Sequence, residues 1–487
     1  MSRYHRARTR AFYWRMAALA MFTLSLVHLG WTHQDKVDLD NVLLEWKAQR
    51  MRLTSWSTGG RNKQVALDSK DEHWCTPSEY LEGEWLLREE EVTLENIRAV
   101  FKYTDLGLLK CRAADEPRGV EPGPDDPAAW ARILETAQYK WVPKSVCKQH
   151  SWSKWNFAKY CLRSKGGCSL VGDSLADQIY TAIWSSMITK GDSLFKLHAS
   201  TERIFDITVN ANHPMAQMLA DAAGVTVERF NRPIFNFWRE HHLVNREDLD
   251  AAFVGFEGYE KWVGGPSMAE SGWIWDRSRW YELWNSLLAH AVELVPRSLD
   301  KRVPLEENSV ISFSSGPHWT PVELWPKESA GKVTPEQILH GYTAAVDRVI
   351  QNVTAVAQDN KVLTWWRGST AAHPQCSQYT KRDFGLLLAE NNRTTHHSTL
   401  NPTVKGFNWD YFTVYDKLVV NKLEGEPEAA MRFMDLWPIS VTRPDSHLKS
   451  TTDCLHFCSP GVPNELLEYL WHSMVLEGEN DDYDDFP

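Results

Sequence analysis

The sequence predicts an α/β domain that lies beyond a single N-terminal transmembrane helix. The α/β assignment rests on residues 166–184, where a short apolar run ends at a glycine and apolar residues at helical spacing follow it. The transmembrane helix rests on an apolar run at 16–31, which an arginine-rich tail precedes. With 487 residues, 43% of them hydrophobic, the chain is long enough to bury a large globular core.

Residues 166–184 read GGCSLVGDSLADQIYTAIW and predict a strand, a tight turn and a helix. The apolar residues 168–171 form the strand, Gly172 ends it, and apolar positions at 175, 179, 183 and 187 mark one face of the helix. Such a turn places the Ser174 side chain at the carboxyl edge of a sheet, where the first N–H groups of a helix can hold an oxyanion. The alternative is that Asp173 or Ser174 only caps the helix.

The N-terminal region predicts a membrane anchor. Residues 1–15 contain five arginines and no acid, so they are expected to remain in the cytosol. The run MAALAMFTLSLVHLGW at 16–31 is shorter than the ~20 residues of a typical spanning helix, but residues 11–14 can extend it. We expect an uncleaved signal anchor with everything beyond it on the luminal side. A cleaved signal peptide is the main alternative, and a buried core helix is a weaker one.

The rest of the chain divides into a stem at 32–72, a luminal domain at 73–475 and an acidic tail at 476–487. The stem is polar with helical spacing, whereas the domain is rich in tryptophan, of which the chain has 24. Residues 112–127 predict a loop, because their prolines, glycines and acids cannot continue a helix or a central strand. The net charge of −11, despite the arginine-rich tail, argues against a nucleic-acid partner.

The cysteines support an oxidising compartment. All eight lie beyond the anchor, and an even number in an exported chain predicts up to four disulfides, although the spacing leaves the pairing open. A zinc site at Cys454 and Cys458 is the alternative for that pair. Asn352 and Asn392 stand in Asn-x-Thr sequons and are candidate glycosylation sites. The disulfide candidates are Cys75, Cys111, Cys147, Cys161, Cys168, Cys376, Cys454 and Cys458.

The segment TTDCLHFCSPGVP at 451–463 supplies what an activated serine needs. A serine hydroxyl requires a base to take its proton, and the base requires a group that fixes its tautomer. Asp453 and His456 would share a face on a helical turn, so the carboxylate could accept from one ring nitrogen while the other faces Ser174. We expect disulfides from the two flanking cysteines to anchor this segment against the earlier one. The alternative is a surface ion pair.

Several ordered motifs resemble the PC-esterase family, which includes plant trichome-birefringence-like and fungal polysaccharide O-acetyltransferases. VGDSL around Ser174 and RPDSHLKSTTDCLHFCSPGVPNELLEYLW near the C-terminus are similar to the two catalytic blocks. The intervening matches are CTPSEYLEGEW from 75, YKWVPKSVC from 139, WWRGSTAAHPQC from 365 and MDLWPISVTRPDSH from 434. The resemblance implies an SGNH/GDSL-like three-layer α/β/α fold with an appended disulfide-linked minor lobe, and a single-pass type II protein of the Golgi or another secretory membrane.

The resemblance also implies roles for individual residues. Ser174 would be the nucleophile, His456 the general base and Asp453 its orienting carboxylate. The oxyanion and substrate candidates are Gly172, Arg239, Gly316, His318 and Arg367. The chain departs from the family in SSGPHW at 314–319, where a serine replaces an asparagine and a proline is inserted, and in GVPNELL, which lacks Asp-x-Trp and leaves the role of Asn464 open.

The expected function is acetyl transfer onto hydroxyls of a polysaccharide or glycan, with acetyl-CoA or another acetyl donor as co-substrate and no bound cofactor or metal. An acetylesterase and a non-catalytic glycan-binding scaffold of the secretory pathway are the alternatives. His447 is expected to pack or to position substrate, and His241 with His242 resembles half of a metal site without an acidic partner. Most tryptophans are expected in the core, although some could stack on sugars.

Overall fold

The computed structural model describes residues 73–103, 111, 127–188, 193–201, 203–256, 278–298, 301–325, 333–374, 376, 379, 409–449 and 453–478. All of them lie in one compact unit, Glu72–Pro487. The predicted cytosolic tail, transmembrane anchor and stem lie outside the described residues, as do Asn392 and most of the predicted loop and acidic tail. Within the described ranges, no helix combines the length and the apolar character that a membrane span requires.

Helices and strands alternate along much of the described chain. The strands are β1 (Gly83–Leu87), β2 (Tyr139–Pro143), β3 (Cys168–Gly172), β4 (Phe195–Thr201), β5 (Ile204–Val209), β6 (Phe235–Arg239), β7 (Ser309–Phe313), β8 (Val362–Arg367), β9 (Arg432–Met434), β10 (His447–Lys449) and β11 (Asp453–Phe457). The α-helices are α1 (Pro77–Leu81), α2 (Ile97–Val100), α3 (Pro127–Ala137), α4 (Lys154–Arg163), α5 (Ser174–Met187), α6 (Ala216–Ala223), α7 (Arg246–Phe253), α8 (Trp280–Leu288), α9 (Pro321–Leu324), α10 (Pro335–Ala357), α11 (Phe412–Gly425), α12 (Trp437–Val441) and α13 (Val462–Leu476).

One mixed sheet organises the domain, with the strand order β4-β5-β6-β3-β7-β8-β9. β6, β3, β7, β8 and β9 run parallel, and β5 and β4 extend the β6 edge in antiparallel fashion. After β3 the chain builds the sheet on the β6 side, and from β7 onward it builds the opposite side. β3 therefore borders the point where the winding changes direction, and open α/β sheets bind ligands at the carboxyl ends of strands beside such a point.

Helices pack against both faces of this sheet. In β3, Leu170 belongs to one hydrophobic cluster and its neighbour Val171 to the other, as the alternation of a strand requires. The first cluster includes residues of α4, α5, α6 and α13, and the second includes residues of α7, α8, α10 and α11. All of β3 is buried, as expected for a parallel strand covered on both sides. The predicted α/β class is confirmed, as are the predicted strand, turn and helix at 168–187.

The eight cysteines form four disulfides, and this confirms the number predicted from the sequence. The pairs are Cys75–Cys147, Cys111–Cys458, Cys161–Cys168 and Cys376–Cys454. The zinc alternative for Cys454 and Cys458 is wrong, because both sulfurs are committed to S–S bonds with other partners. Cys111 and Cys458 lie in a third, small hydrophobic cluster with residues of α2 and α3.

Candidate active site

Ser174 is the first residue of α5, directly beyond the carboxyl end of β3. Asp173 is the N-cap, and its Oδ1 accepts from the Leu175 N–H at 2.9 Å. The four apolar positions that predict the helix face are all buried: Leu175, Ile179, Ile183 and Met187. The cap and this buried face fix the start of the helix, so the nucleophile candidate lies at the sheet edge where the winding changes direction.

Gly172 allows the two neighbouring strand ends to meet beside Ser174. Its φ is +155°, and a Cβ there would lie 2.5 Å from Ser314 Oγ and 2.7 Å from the Ser314 carbonyl oxygen. Ser314 directly follows β7, and its N–H donates to the Val171 carbonyl at 3.0 Å. A residue with a side chain at position 172 would therefore push the ends of β3 and β7 apart.

The structure brings Ser174, His456 and Asp453 into one hydrogen-bonded row. His456 Nδ1 lies 3.0 Å from each carboxylate oxygen of Asp453, and His456 Nε2 lies 2.7 Å from Ser174 Oγ. Because an ionised carboxylate can only accept, Nδ1 carries the proton and Nε2 is left to accept from the serine hydroxyl. The side chains of His456 and Asp453 are 25% and 31% exposed, so solvent or a substrate can reach the row.

The local conformation of this segment differs from the prediction. Asp453 and His456 lie in strand β11, not on a helical turn, so the expected reason for their contact is wrong. The Asp453 carboxylate instead turns toward the backbone of the residues that follow it, accepting from the N–H groups of Leu455 at 3.3 Å and of His456 at 3.1 Å. This local side-chain-to-backbone turn, which aspartate commonly forms, brings the carboxylate to the His456 ring.

Gln178 makes a second direct contact between helix α5 and strand β11, beside the Ser174–His456 hydrogen bond. Its side-chain amide donates to the Phe457 carbonyl at 2.7 Å and accepts from the Phe457 N–H at 3.3 Å. The flanking disulfides hold β11 from other directions, because Cys454 bonds to Cys376 and Cys458 to Cys111. Sequence reasoning missed Gln178, although its position four residues after Ser174 places both on one helix face.

The carboxylates of the site have opposite electrostatic environments. Burial disfavours the Asp453 carboxylate, but the His456 hydrogen bond, the His456 charge and the two N–H groups outweigh it and hold its pKa at about 2. Burial raises the pKa of Asp173, against the nearby charges of His318 and Arg367. Asp453 is thus fitted to orient a histidine as an anion, whereas Asp173 is fitted to a structural role beside Ser174.

One oxyanion donor is available at the start of α5. The N–H groups of Leu175 and Asp177 are used by Asp173, through its side chain and its carbonyl respectively. Among the described residues, no hydrogen bond occupies the N–H of Ser174. Because the helix N-terminus also carries partial positive charge, this N–H is suited to stabilise an oxyanion that would develop on a group bound beside Ser174.

The two arginine candidates occupy different positions. Arg239 ends β6, pairs with Asp177 of α5 at 3.1 Å and is 21% exposed, so it lies near the open side of the serine helix. Arg367 is buried at the end of β8, donates to the Val171 carbonyl at 3.2 Å and to Ser314 Oγ at 3.2 Å, and has its pKa lowered by burial to about 10. Arg367 therefore ties strand ends together beneath the site.

The loop after β7 brings Gly316 and His318 to the same sheet edge. A Cβ on Gly316 would lie 3.1 Å from Ser369 Oγ, which follows β8. His318 Nδ1 donates to Glu323 at 2.8 Å, and the His318 ring stacks on His241 with a 3.4 Å centroid separation. Burial disfavours charge on His318, but Glu323 and then Asp173 outweigh it and raise its pKa. The sequence did not reveal Glu323 as the acidic partner of His318.

His241, His318 and Glu323 have potential ligand atoms within 4.8 Å of one another. The two ring centroids are 3.4 Å apart with only 17° between the ring planes, so one metal ion cannot lie in both planes, as ligation through the in-plane lone pairs requires. The His318–Glu323 distance is that of a direct hydrogen bond. The geometry therefore fits a charged imidazole stacked on a neutral one better than a metal centre.

Other sequence candidates lie away from the serine. Asn464 Oδ1 accepts from the Gly461 N–H at 3.1 Å and from the Tyr103 hydroxyl at 3.0 Å, so it fixes the start of α13. Asn352 lies within α10.

A cavity of about 380 Å³ lies at the far end of α5, where its lining includes Ser186 and Glu465. Burial raises the pKa of Glu465 to about 7.

No family model matches the chain, and no curated protein matches it.

Proposed function

We propose that the chain is an O-acyltransferase that moves an acetyl group onto hydroxyls of a polysaccharide or glycan through an acyl-serine intermediate. The observation that supports it most is the row from Asp453 through His456 to Ser174, with contacts of 3.0 and 2.7 Å. Such a row activates a serine for attack on an acyl carbon. The choice of acetyl as the transferred group and of a sugar hydroxyl as the acceptor rests on the motif resemblance to the PC-esterase family.

The proposed reaction has two steps. Ser174 Oγ attacks the donor carbonyl carbon while His456 Nε2 takes the hydroxyl proton, and the Ser174 N–H holds the oxyanion. The bond to the donor's leaving group breaks, His456 returns the proton to that group, and acetyl-serine remains. A sugar hydroxyl then attacks the acetyl carbon, its proton passes to His456 and on to Ser174 Oγ, and the sugar ester is released.

We further propose an SGNH/GDSL-like fold of the PC-esterase type, with the small cluster around Cys111–Cys458 as its minor lobe. A nucleophile at the start of the helix after β3, with β6 and β7 on either side, supports this proposal. Four disulfides support an oxidising compartment, and therefore a type II protein of the Golgi or a related secretory membrane, anchored through residues 16–31.

Replacement of the serine tests the enzyme function. Full-length chain would receive a labelled acetyl donor and an oligosaccharide, and both acetyl-protein and the acceptor mass would be followed. Ser174→Ala should abolish both signals, whereas Ser78→Ala, an exposed serine of α1, should retain them. Normal acceptor acetylation by Ser174→Ala would remove the proposal.

Acetylester hydrolysis is a second candidate, because the partial exposure of His456 and Asp453 also admits water to the second step. The same experiment separates the two reactions. Free acetate formed at the same rate with and without oligosaccharide would indicate an esterase. Acetylated oligosaccharide that rises with acceptor concentration would indicate a transferase.

A further inference from the structure

Two buried histidines lie directly beneath the catalytic row. His447 is 0% exposed and His373 is 6% exposed. His373 Nδ1 lies 2.6 Å from His447 Nε2. The two outer nitrogens face backbone carbonyls: His373 Nε2 lies 2.7 Å from the Val441 oxygen, and His447 Nδ1 lies 3.1 Å from the His456 oxygen. The pair therefore forms a row of three short polar contacts that ends on the backbone of the catalytic histidine.

The number of protons in this row is fixed by its acceptors. A carbonyl oxygen can only accept, so both outer nitrogens must carry N–H. Two neutral imidazoles hold one proton each, and the outer contacts use both. The inner nitrogens would then present two lone pairs to each other at 2.6 Å. We infer that His373 and His447 share one additional proton between their inner nitrogens, forming a buried single positive charge that positions His456 through its carbonyl group.

Another buried histidine shows that this count is not general. His472 is also 0% exposed, yet its Nε2 faces the Cys75 carbonyl at 2.7 Å while its Nδ1 accepts from the His150 N–H at 3.1 Å. A neutral His472 ring is therefore fully satisfied, because its Nε2 donates to a carbonyl and its Nδ1 accepts from the backbone N–H of His150. The extra proton is therefore demanded by the way His373 and His447 face each other and not by burial of a histidine as such.

The surroundings of the pair act on its charge in both directions. Burial, and then the neighbouring His373, hold the pKa of His447 well below its ordinary value, so they oppose the additional proton, whereas the bond to the His456 carbonyl favours it. Asp453 offsets the single charge. Among the described residues, the other charged or titratable groups around the pair are His456, Arg132, which donates to the His447 carbonyl at 3.1 Å, and the Arg443–Asp445 ion pair.

This arrangement rests on the proposed function for its role in the reaction. The pair donates to the carbonyl of His456 and thereby fixes the backbone that carries the catalytic imidazole. We therefore expect His447→Asn, which keeps a donor for that carbonyl, to retain more of kcat than His447→Ala, with His373 and His447 acting as positioning residues. Equal kcat values in the two variants would contradict this role.

The shared proton can be observed independently of activity. Full-length chain labelled with ¹⁵N-histidine should show one strongly deshielded, slowly exchanging imidazole N–H coupled to this pair. His373→Gln and His447→Asn should each remove that signal and leave the neutral pattern of His472 unchanged. His447→Asn keeps a donor for the His456 carbonyl, so loss of the signal in a folded variant reports the charge and not unfolding. Absence of the signal in the wild type would overturn the inference.

Stability provides a second measurement in case a variant folds poorly. Unfolded, the two histidines bind two additional protons below their ordinary pKa and none above it, whereas the folded pair holds one. The stability that the shared proton contributes is therefore greatest near that pKa and falls as the pH rises further. Wild type should lose more stability than His447→Asn as the pH rises from 6 to 9. Equal pH slopes would contradict the shared proton. A wild type that shows the proton but never forms acetyl-Ser174 would support the pair and reject the acyl transfer.

Discussion

Replacement of Gly172 by alanine should damage both the fold and the site. The new Cβ would stand 2.5 Å from Ser314 Oγ, 2.7 Å from the Ser314 carbonyl oxygen and 3.0 Å from the Ala176 Cβ, at a φ of +155°. A side chain at such a φ costs about 1–3 kcal/mol, and overpacking adds about 1–3 kcal/mol. The free energy of unfolding should therefore fall by about 2–6 kcal/mol. Because Ser174 is two residues away, a displacement near 1 Å should lower acyl transfer by about 100-fold.

Urea unfolding and acetyl-serine formation would be measured on the same protein samples. Gly425→Ala is the matched control, because Gly425 ends α11 and an added Cβ meets no atom within 4 Å. That variant should match or exceed wild-type stability by up to about 1 kcal/mol. If Gly172→Ala unfolds at the wild-type urea concentration and transfers acetyl normally, the close approach of β3 and β7 described above is incorrect.

Three further predictions concern charge and covalent anchoring. Asp453→Asn should lower kcat/KM about 10³–10⁴-fold. Because the Asp453 pKa of about 2 lies below its ordinary value of 3.8, wild type should lose stability as the pH falls from 4 to 2, and the same loss in Asp453→Asn would contradict this. Glu465 has a pKa raised to about 7, so wild type should lose stability as the pH rises from 4.5 through 7. The free energy of unfolding of Glu465→Gln should change less over this pH range, and an equal change in both proteins would count against the raised pKa. Cys111→Ser removes the disulfide to Cys458, near His456, and should lower the free energy of unfolding in urea by about 2–5 kcal/mol and reduce acetyl-serine formation. Unchanged values of both would refute the anchoring role.

The fold around the serine was predictable because its signals are local. A short apolar run, a glycine and an apolar period of four residues identify β3, the turn and α5. The order of the strands was not predictable in this way. Placement of β6 and β7 on opposite sides of β3 depends on pairings between segments far apart in the chain, and no local pattern encodes them.

The candidate site was predictable in composition but not in construction. The residue types in D-x-x-H indicate a carboxylate and a base, and these do lie beside Ser174. The spacing suggested a helical turn, whereas the segment is a strand whose aspartate bends back onto its own backbone. Spacing alone cannot distinguish a helical turn from such a strand, because an aspartate side chain can accept from nearby backbone N–H groups in several local conformations.

The charges beneath Ser174 show why such a site depends on the sheet as a whole. Asp173 follows β3, His318 follows β7 and Arg367 ends β8, and parallel strands bring these three positions to one edge. Burial alone would favour a neutral Asp173, and the charges of His318 and Arg367 act against that. None of the three residues has this effect without the other strands in register. The electrostatic setting of Ser174 is therefore a property of the β3-β7-β8 order and not of the Gly-Asp-Ser motif by itself.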